Sequence, residues 1–266
     1  MIVFPPAKIN LGLFVTNRRT DGYHDLISCF FPIPIMDILE VMESKSFSYR
    51  QTGIHIPSHD ESNLCVKAFE LLQTKYELPP VKIHLHKLIP VGAGLGGGSS
   101  DAAVLLKALN ILFELGVTPS ELETIAAQIG SDCPFFIHDS PKLIRGRGHV
   151  MENISIDLNG WYLVVVDSQI HISTAEAYQH VTPRTPEVSL KYVLENEPVE
   201  KWTGLVTNDF EPIITKEHPE IYEIHQALEE AGSAFTSMTG SGSAIFGLFR
   251  EKPHLDISYP AFIKQI

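Results

Sequence analysis

The amino-acid sequence predicts an α+β fold. Residues 7–15 and 81–89 alternate between apolar and polar side chains, as strands with one buried face do. Residues 99–115 instead repeat apolar side chains at the spacing of one helix face. Strands and helices follow one another without strict alternation, which favours an α+β fold over a doubly wound parallel sheet.

The first predicted strand carries two polar side chains on one face. Ile9 and Leu11 belong to the apolar face, so Lys8 and Asn10 share the opposite one. A lone lysine on such a face is ordinarily solvated. This pattern by itself therefore predicts no chemistry.

A glycine-rich loop follows the second predicted strand. Five of the seven residues from 92 to 98 are glycine, and a helix begins directly after them. The amides of such a loop, together with the N-terminus of a helix, form an anion site, and serine hydroxyls can add oxygen ligands. We therefore predict that this segment binds the phosphates of a ligand; its residues are Pro90, Val91, Gly92, Ala93, Gly94, Leu95, Gly96, Gly97, Gly98, Ser99 and Ser100.

Two common phosphate-binding patterns do not fit this loop. A Walker A loop ends in Gly-Lys-Ser/Thr, which does not follow here. Gly92, Gly94 and Gly97 match the spacing of the dinucleotide fingerprint. That fingerprint requires a strand after the helix, whereas here a second helix is predicted.

The remaining elements are predicted from start and stop signals. Thr118 and Glu121 form a capping box, and Gly130 would end that helix. Residues 183–198 are predicted to form a surface loop or an irregular helix. Four further elements are predicted: a strand at 161–166, a short helix at 174–179, an amphipathic helix at 219–231, and a glycine turn leading into a strand within 236–249.

One carboxylate leaves two interpretations open. Asp132 lies between Gly130 and Pro134 in the segment GSDCPFF. Aspartate in such a turn most often only shapes it, so the residue is either a turn former or a catalytic group. The histidines show no metal-ligand spacing, and we predict no protein metal ligand from them.

Composition limits the function classes. The chain has 266 residues, 44% of them hydrophobic, and a formal net charge of −12. Nonspecific nucleic-acid binding requires many cations, so no nucleic-acid partner is expected. No signal peptide or bilayer-spanning stretch is visible, and the three cysteines suggest buried thiols in a reducing compartment. We expect a cytoplasmic protein with no membrane partner.

Three segments together resemble a known kinase superfamily. These are AKINL at residues 7–11, the glycine-rich loop, and TGSGS at residues 239–243, in that order. The chain is identified as a member of the galactokinase, homoserine kinase, mevalonate kinase and phosphomevalonate kinase superfamily. The resemblance implies an N-terminal domain like ribosomal protein S5 domain 2 over residues 1–152. It also implies a ferredoxin-like C-terminal domain over 153–266, with a cleft between the two.

Further segments are similar to one branch of this superfamily, which acts on a cytidine diphosphate derivative in the non-mevalonate isoprenoid precursor pathway. They are RTDGYH, GSDCPF, RGRG, STAEAY and NDFE. The resemblance implies transfer of the γ-phosphoryl of ATP, with Mg²⁺, to the 2-hydroxyl of a methylerythritol moiety. A sibling kinase for mevalonate, homoserine or a sugar, and a non-catalytic ligand sensor on the same fold, remain the alternatives.

The resemblance also implies the roles of individual residues. Lys8 and Asp132 would be the catalytic pair, and Asn63 and Lys87 would hold the adenosine part of ATP. The small-molecule substrate would be bound by Asn10, Tyr23, His24, Thr174, Tyr178, Gly240 and Ser241. A monomer and a homodimer both remain open.

Overall fold

The structure is a computed structural model that describes residues 1–56 and 63–266. The chain divides into two compact units. The first unit contains Met1–Ala7, Ile35–Val91 and Gly96–Asp139. The second unit contains Lys8–Pro34, Gly92–Leu95 and Ser140–Ile266.

The strands, in chain order, are β1 (Ile2–Val3), β2 (Pro6–Arg18), β3 (His24–Met36), β4 (Ile38–Glu43), β5 (Ser48–Gly53), β6 (Val81–Lys87), β7 (Lys142–Gly146), β8 (Val150–Asn153), β9 (Tyr162–Val166), β10 (Phe235–Met238), β11 (Ile245–Phe249) and β12 (Ala261–Gln265). The α-helices are α1 (Leu64–Tyr76), α2 (Gly97–Leu112), α3 (Pro119–Ala126), α4 (Thr174–His180), α5 (Leu190–Asn196), α6 (Glu211–Glu217) and α7 (Pro219–Glu230). Short 3₁₀ helices span Cys133–Ile137 and Val199–Lys201.

The first unit is a four-stranded sheet with helices α1, α2 and α3. The strand order is β1-β4-β6-β5, with β5 parallel to β6 and the other pairs antiparallel. Strand β6 confirms the predicted alternation, because Val81, Ile83 and Leu85 are fully buried and Lys82 between them is exposed.

Helix α3 confirms one predicted boundary and corrects the other. The Thr118 side chain accepts from the Glu121 amide, and the Glu121 carboxylate accepts from the Thr118 amide, which completes the predicted capping box. The helix ends at Ala126 instead of reaching Gly130. The amides of residues 128 and 129 each bond to the carbonyl three positions back, so the last turn tightens before the glycine.

The second unit contains two four-stranded sheets, ordered β2-β3-β7-β8 and β10-β11-β9-β12. In the latter, β11 pairs antiparallel with both β9 and β10 and therefore lies between them. This is a split βαβ arrangement of the ferredoxin-like type, and β12 adds a fourth strand beside β9. An apolar core that includes Val164, Phe210 and Ile245 packs within this unit.

The two units differ from the predicted domains 1–152 and 153–266 in being discontinuous along the chain. Strand β7 is hydrogen-bonded to β3 on one side and to β8 on the other, and the three strands group with residues 154–266 in the second unit. Residues 183–198, predicted as a loop or an irregular helix, contain the regular helix α5, whose first turn is capped by Ser189.

All three cysteines are free and buried, as the sequence predicts. Burial raises the pKa of the Cys133 thiol to about 11, so it stays protonated at neutral pH. Among the helices of the described ranges, none combines the length and apolar character needed to cross a membrane.

Candidate active site

The structure brings together three segments that the sequence singles out. Within the second unit, Leu95 of the glycine-rich loop accepts a hydrogen bond from the Lys8 amide at 3.0 Å. Ala93 of the same loop accepts one from the Ala244 amide at 3.2 Å. The loop segment Gly92–Leu95 is therefore held on one side by strand β2 and on the other by the turn between β10 and β11.

The contact between the loop and the later glycine turn requires glycine. Gly94 has a φ of +77°, and a Cβ there would lie 2.1 Å from the carbonyl oxygen of Thr239. The Thr239 hydroxyl also donates to the carbonyl of Gly94 at 3.2 Å. Any side chain at position 94 would separate the two segments, which explains why glycine stands there.

Lys8 is buried at the centre of this arrangement, with 3% of its surface exposed. Its Nζ donates to Asn10 Oδ1 at 2.5 Å and to the Gly94 carbonyl at 2.7 Å, and it lies 4.8 Å from the centre of the Phe30 ring. A buried ammonium held by dipoles and an aromatic face is not the solvated lysine that an isolated strand would predict.

Asn10 shares the face of Lys8, as predicted, and is also buried. Its amide nitrogen donates to Ser28 Oγ at 2.8 Å, and its oxygen accepts from both Lys8 and the Thr239 hydroxyl. The structure thus gives Asn10 the role of orienting Lys8. The substrate contact predicted for Asn10 stays a prediction.

Helix α2 begins where the loop ends, with Gly96 as its N-cap at a φ of +71°. Among the described residues, no side chain caps this helix, so its first amides remain available to an anion. The two serines that follow differ in position. Ser99 is half-buried, whereas the Ser100 hydroxyl is fully buried and has no hydrogen-bond partner in the described ranges. Of the two hydroxyls, that of Ser99 is therefore better placed to contact a phosphate or a metal ion.

A buried ion cluster supports the start of α2 within the first unit. The Nζ of Lys87 lies 2.6 Å from Asp37 Oδ2 and 2.6 Å from Asp101 Oδ2. The other oxygen of Asp37 accepts from the amides of Leu88 and Ile89. Lys87 is 1% exposed, and its ammonium is engaged by two carboxylates. In this position it supports the start of α2, and its contact with adenosine stays a prediction.

The charges of this cluster are set by burial and by each other. Burial raises the pKa of Asp101 to about 8, against the opposing effect of the Lys87 ammonium. Burial lowers the pKa of Lys87, but the Asp101 and Asp37 carboxylates outweigh it and raise that pKa overall. Burial thus favours the protonated form of Asp101, while Lys87 keeps its charge.

Asn63, predicted to hold adenosine, caps helix α1. Its side-chain oxygen accepts from the Cys65 amide at 2.8 Å, and its amide nitrogen donates to the Tyr49 hydroxyl at 2.9 Å. Its nucleotide contact stays a prediction.

Asp132 precedes the 3₁₀ helix Cys133–Ile137 and is half-buried. In the described part of the chain its carboxylate accepts no amide hydrogen bond from that helix; it accepts one from the Ser131 hydroxyl at 3.2 Å. A turn former would ordinarily engage those amides. The catalytic role of Asp132 stays a prediction.

An aromatic group lies at the start of β3 in the second unit. The His24 ring stacks on Tyr178 with centroids 5.0 Å apart and an angle of 22° between the rings. Tyr178 in turn meets Phe210 edge to face at 4.9 Å. Tyr23, the neighbour of His24, is 55% exposed. The predicted residues Tyr23, His24 and Tyr178 thus belong to one part of this unit.

The late glycine turn contacts one more predicted residue, Thr174, and one that the sequence did not single out, Asn208. Thr174 hydrogen-bonds to Ser241 at 3.0 Å. The side chain of Asn208 donates to the carbonyls of Met238 and Gly240, both at 2.8 Å, and so fixes the turn. The segment NDFE was the sequence signal that could have indicated Asn208. Two of its polar side chains, those of Asn208 and Asp209, are buried in the structure.

The chain matches two family models. The model described as GHMP kinases N terminal domain matches residues 63–140, and that described as GHMP kinases C terminal matches residues 196–258.

Curated relatives match over almost the whole chain. A protein from Parabacteroides distasonis is 47% identical over 254 residues, covering 96% of this chain and 93% of its own. A protein from Azobacteroides pseudotrichonymphae is 47% identical over 258 residues, covering 97% and 96% respectively. Both are named 4-diphosphocytidyl-2-C-methyl-D-erythritol kinase.

Solved structures agree with this match. A crystal structure of 4-(cytidine 5'-diphospho)-2C-methyl-D-erythritol kinase superposes with a TM-score of 0.80 at 34% identity, covering 93% of this chain and 90% of that one. A mevalonate kinase superposes with a TM-score of 0.72 at 14% identity over 99% of this chain and 98% of that chain, which shows a shared fold.

Proposed function

The chain belongs to the GHMP kinase family, and from this we infer that it is a 4-diphosphocytidyl-2-C-methyl-D-erythritol kinase. It transfers the γ-phosphoryl group of ATP to the 2-hydroxyl of the methylerythritol moiety in the non-mevalonate pathway to isoprenoid precursors. Relatives of this name are 43–47% identical over nearly the full chain.

One observation carries the proposal: the loop segment Gly92–Leu95 is hydrogen-bonded to both Lys8 and the turn after β10. A phosphate loop joined in this way presents backbone amides beside a buried ammonium. The amides and the ammonium can stabilise negative charge, so this arrangement suits the transfer of a charged group better than the binding of a neutral ligand.

We propose that ATP is held by the loop amides and by the uncapped N-terminus of α2. Mg²⁺ in such sites is bound largely by phosphate oxygens and water, so the protein needs to add only one or two oxygens. The half-buried hydroxyl of Ser99 is the oxygen that this chain offers in the first turn of α2. When bound, the metal would neutralise charge on the phosphates.

Asp132 is the proposed proton acceptor. Carboxylic acids are far stronger acids than alcohols, so Asp132 does not ionise the hydroxyl in advance. Phosphoryl transfer is usually loose, and the proton can leave late, as the bond to phosphorus forms. Lys8 would stabilise charge on the transferring group, held in place by Asn10 and the Gly94 carbonyl. Alignment and electrostatics then supply most of the acceleration.

The cytidine end of the substrate is assigned to the aromatic group of the second unit. Cytosine has a flat apolar face and a polar edge. Tyr178 offers a ring for the face, and His24 and Tyr23 offer polar groups for the edge. His24 stacks on Tyr178, so the two residues lie in one part of this unit, and their roles towards the base are part of the proposal. Thr174, Asn10, Gly240 and Ser241 are proposed to complete the substrate site.

We further propose that the enzyme works in the cytoplasm on this small molecule, without nucleic acid, as a monomer or a homodimer. The experiment is coupled ADP release with cytidine-diphospho-methylerythritol, mevalonate, homoserine and galactose measured side by side. Turnover of the first compound alone is expected. Preference for another of the four would identify a sibling kinase. ATP binding without turnover of any of them would favour a non-catalytic sensor.

A further inference from the structure

Two turns of the sheet β2-β3-β7-β8 lie next to each other in the second unit. Strand β3 pairs antiparallel with β7, with Leu26 opposite Gly146. The turn that precedes β3 therefore lies beside the turn that follows β7. Tyr23 belongs to the first of these turns and Arg147 to the second.

The two side chains stack on each other. The guanidinium carbon of Arg147 lies 3.5 Å from the centre of the Tyr23 ring. This distance is close contact between a flat cation and an aromatic face, and guanidinium groups are well suited to it. Tyr23 is 55% exposed even with this cover, so the rest of its ring remains accessible.

Charged neighbours hold the pair in place. Asp21 lies 4.0 Å from an Arg147 nitrogen and accepts a hydrogen bond from the Tyr23 amide at 3.1 Å. Arg19 pairs with Asp21 at 3.1 Å and with Asp25 at 3.0 Å. These ion pairs are solvent-exposed, and each of them contributes little by itself to the placement of Arg147. The direct contact with the Tyr23 ring is made by the stacked guanidinium of Arg147.

We propose that Arg147 is a positioning residue for the cytidine end of the substrate. It covers one face of Tyr23 and restricts the ring, so that the Tyr23 hydroxyl is presented to the polar edge of the base. A ring ordered before binding loses less side-chain freedom when the ligand arrives, and this raises affinity without changing chemistry. This inference rests on the proposed function.

The test uses four single variants and one double variant of the full chain with cytidine-diphospho-methylerythritol. Arg147→Ala should raise KM about two- to fivefold, the scale of an exposed cation–π contact, with kcat and the KM for ATP unchanged. Arg147→Lys should recover only part of the loss, because it keeps the charge and lacks the planar group. Arg145→Ala is the matched control, since Arg145 lies in the same hairpin and pairs with Glu152 at 3.1 Å.

The fourth variant separates positioning from direct contact. Tyr23→Ala should raise KM by about tenfold, and adding Arg147→Ala to it should raise KM no further. The dissociation constant for CDP, measured by calorimetry, should rank the variants in the same order as KM does. The proposal is overturned if Arg147→Ala matches the Arg145→Ala control, or if its effect persists in the Tyr23→Ala background. A wild-type protein that turns over none of this substrate would instead overturn the proposed function, and this inference with it.

Discussion

Asp101 and Lys87 form a buried hydrogen-bonded contact that joins helix α2 to the end of strand β6. The carboxylate oxygen of Asp101 lies 2.6 Å from the ammonium of Lys87, and each side chain is 2% exposed. The pair stands at the point where the predicted phosphate-binding loop becomes a helix. It therefore links the stability of the first unit to the shape of the nucleotide site.

Replacing Lys87 with methionine is expected to destabilise the protein. The substitution leaves Asp37 and Asp101 buried together without a cation, a change that typically costs about 3–5 kcal/mol. Urea denaturation of Lys87→Met should show this loss, and Lys82→Met, an exposed lysine on the same strand, should not. If Lys87 instead contacted adenosine, the variant would keep its stability and show a raised KM for ATP.

Asp101 is expected to make stability depend on pH. Its pKa is raised to about 8 in the folded chain, above its ordinary value near 4. The folded state therefore holds a proton that the unfolded state has released. The stabilising contribution is fully present below pH 4 and is lost as the pH rises towards 8, by up to about 1.4 kcal/mol per pH unit.

Asp101→Asn removes this titration, because an amide is neutral throughout. Thermal melts of wild type and variant at pH 5, 6.5 and 8 test the expectation. The wild type should lose more stability than the variant over this range. Parallel curves for the two proteins would show that Asp101 keeps the same charge in the folded and unfolded states.

Asp132→Asn is expected to slow chemistry without affecting folding. The change keeps the size of the side chain and removes the proton acceptor, so kcat should fall by about 10²-fold or more. The melting temperature should stay near that of wild type, since the carboxylate does not cap the 3₁₀ helix. Ser131→Ala, which removes the hydroxyl donor to Asp132, is the control. Near-normal turnover in Asp132→Asn would return the residue to a role in the turn.

His24 and Tyr178 are expected to affect base recognition differently. Stacking tolerates any base and is worth roughly 1–3 kcal/mol, so Tyr178→Ala should weaken cytidine and uridine analogues alike. His24→Ala should also shrink the preference for cytidine, because a wrong base leaves buried polar groups unpaired. The measurement is kcat/KM for both analogues with each protein. An unchanged cytidine-to-uridine ratio in His24→Ala would exclude His24 as a reader of the base.

Much of the fold could be predicted from local patterns. The alternation of β6 and the capping box of α3 are both present in the structure, because each depends on residues close in sequence. The α+β class and the two-domain kinase arrangement are confirmed as well. Gly130 was the wrong end for α3, since a tighter last turn can stop a helix without a glycine.

Fewer features of the candidate site could be predicted from the sequence. Alternation in β6 places Lys87 on the inward face, but its partners Asp37 and Asp101 are 50 and 14 positions away. Only the folded chain shows that two carboxylates contact the ammonium of this lysine. The stacking of Arg147 on Tyr23 depends in the same way on the register of β3 with β7, which no local signal encodes.

The close approach of Gly94 to residue 239 has a consequence for variation at the site. The obstructing atom is the carbonyl oxygen of Thr239, which every amino acid possesses. In a library randomised at both positions, glycine at 94 should therefore be selected whatever residue occupies 239. The polar pair Lys8 and Asn10 meets through side chains, so the constraint on those two positions comes from their side-chain chemistry. The constraint at position 94 comes from the backbone, and the constraint at positions 8 and 10 comes from side chains. Selection experiments would distinguish the two.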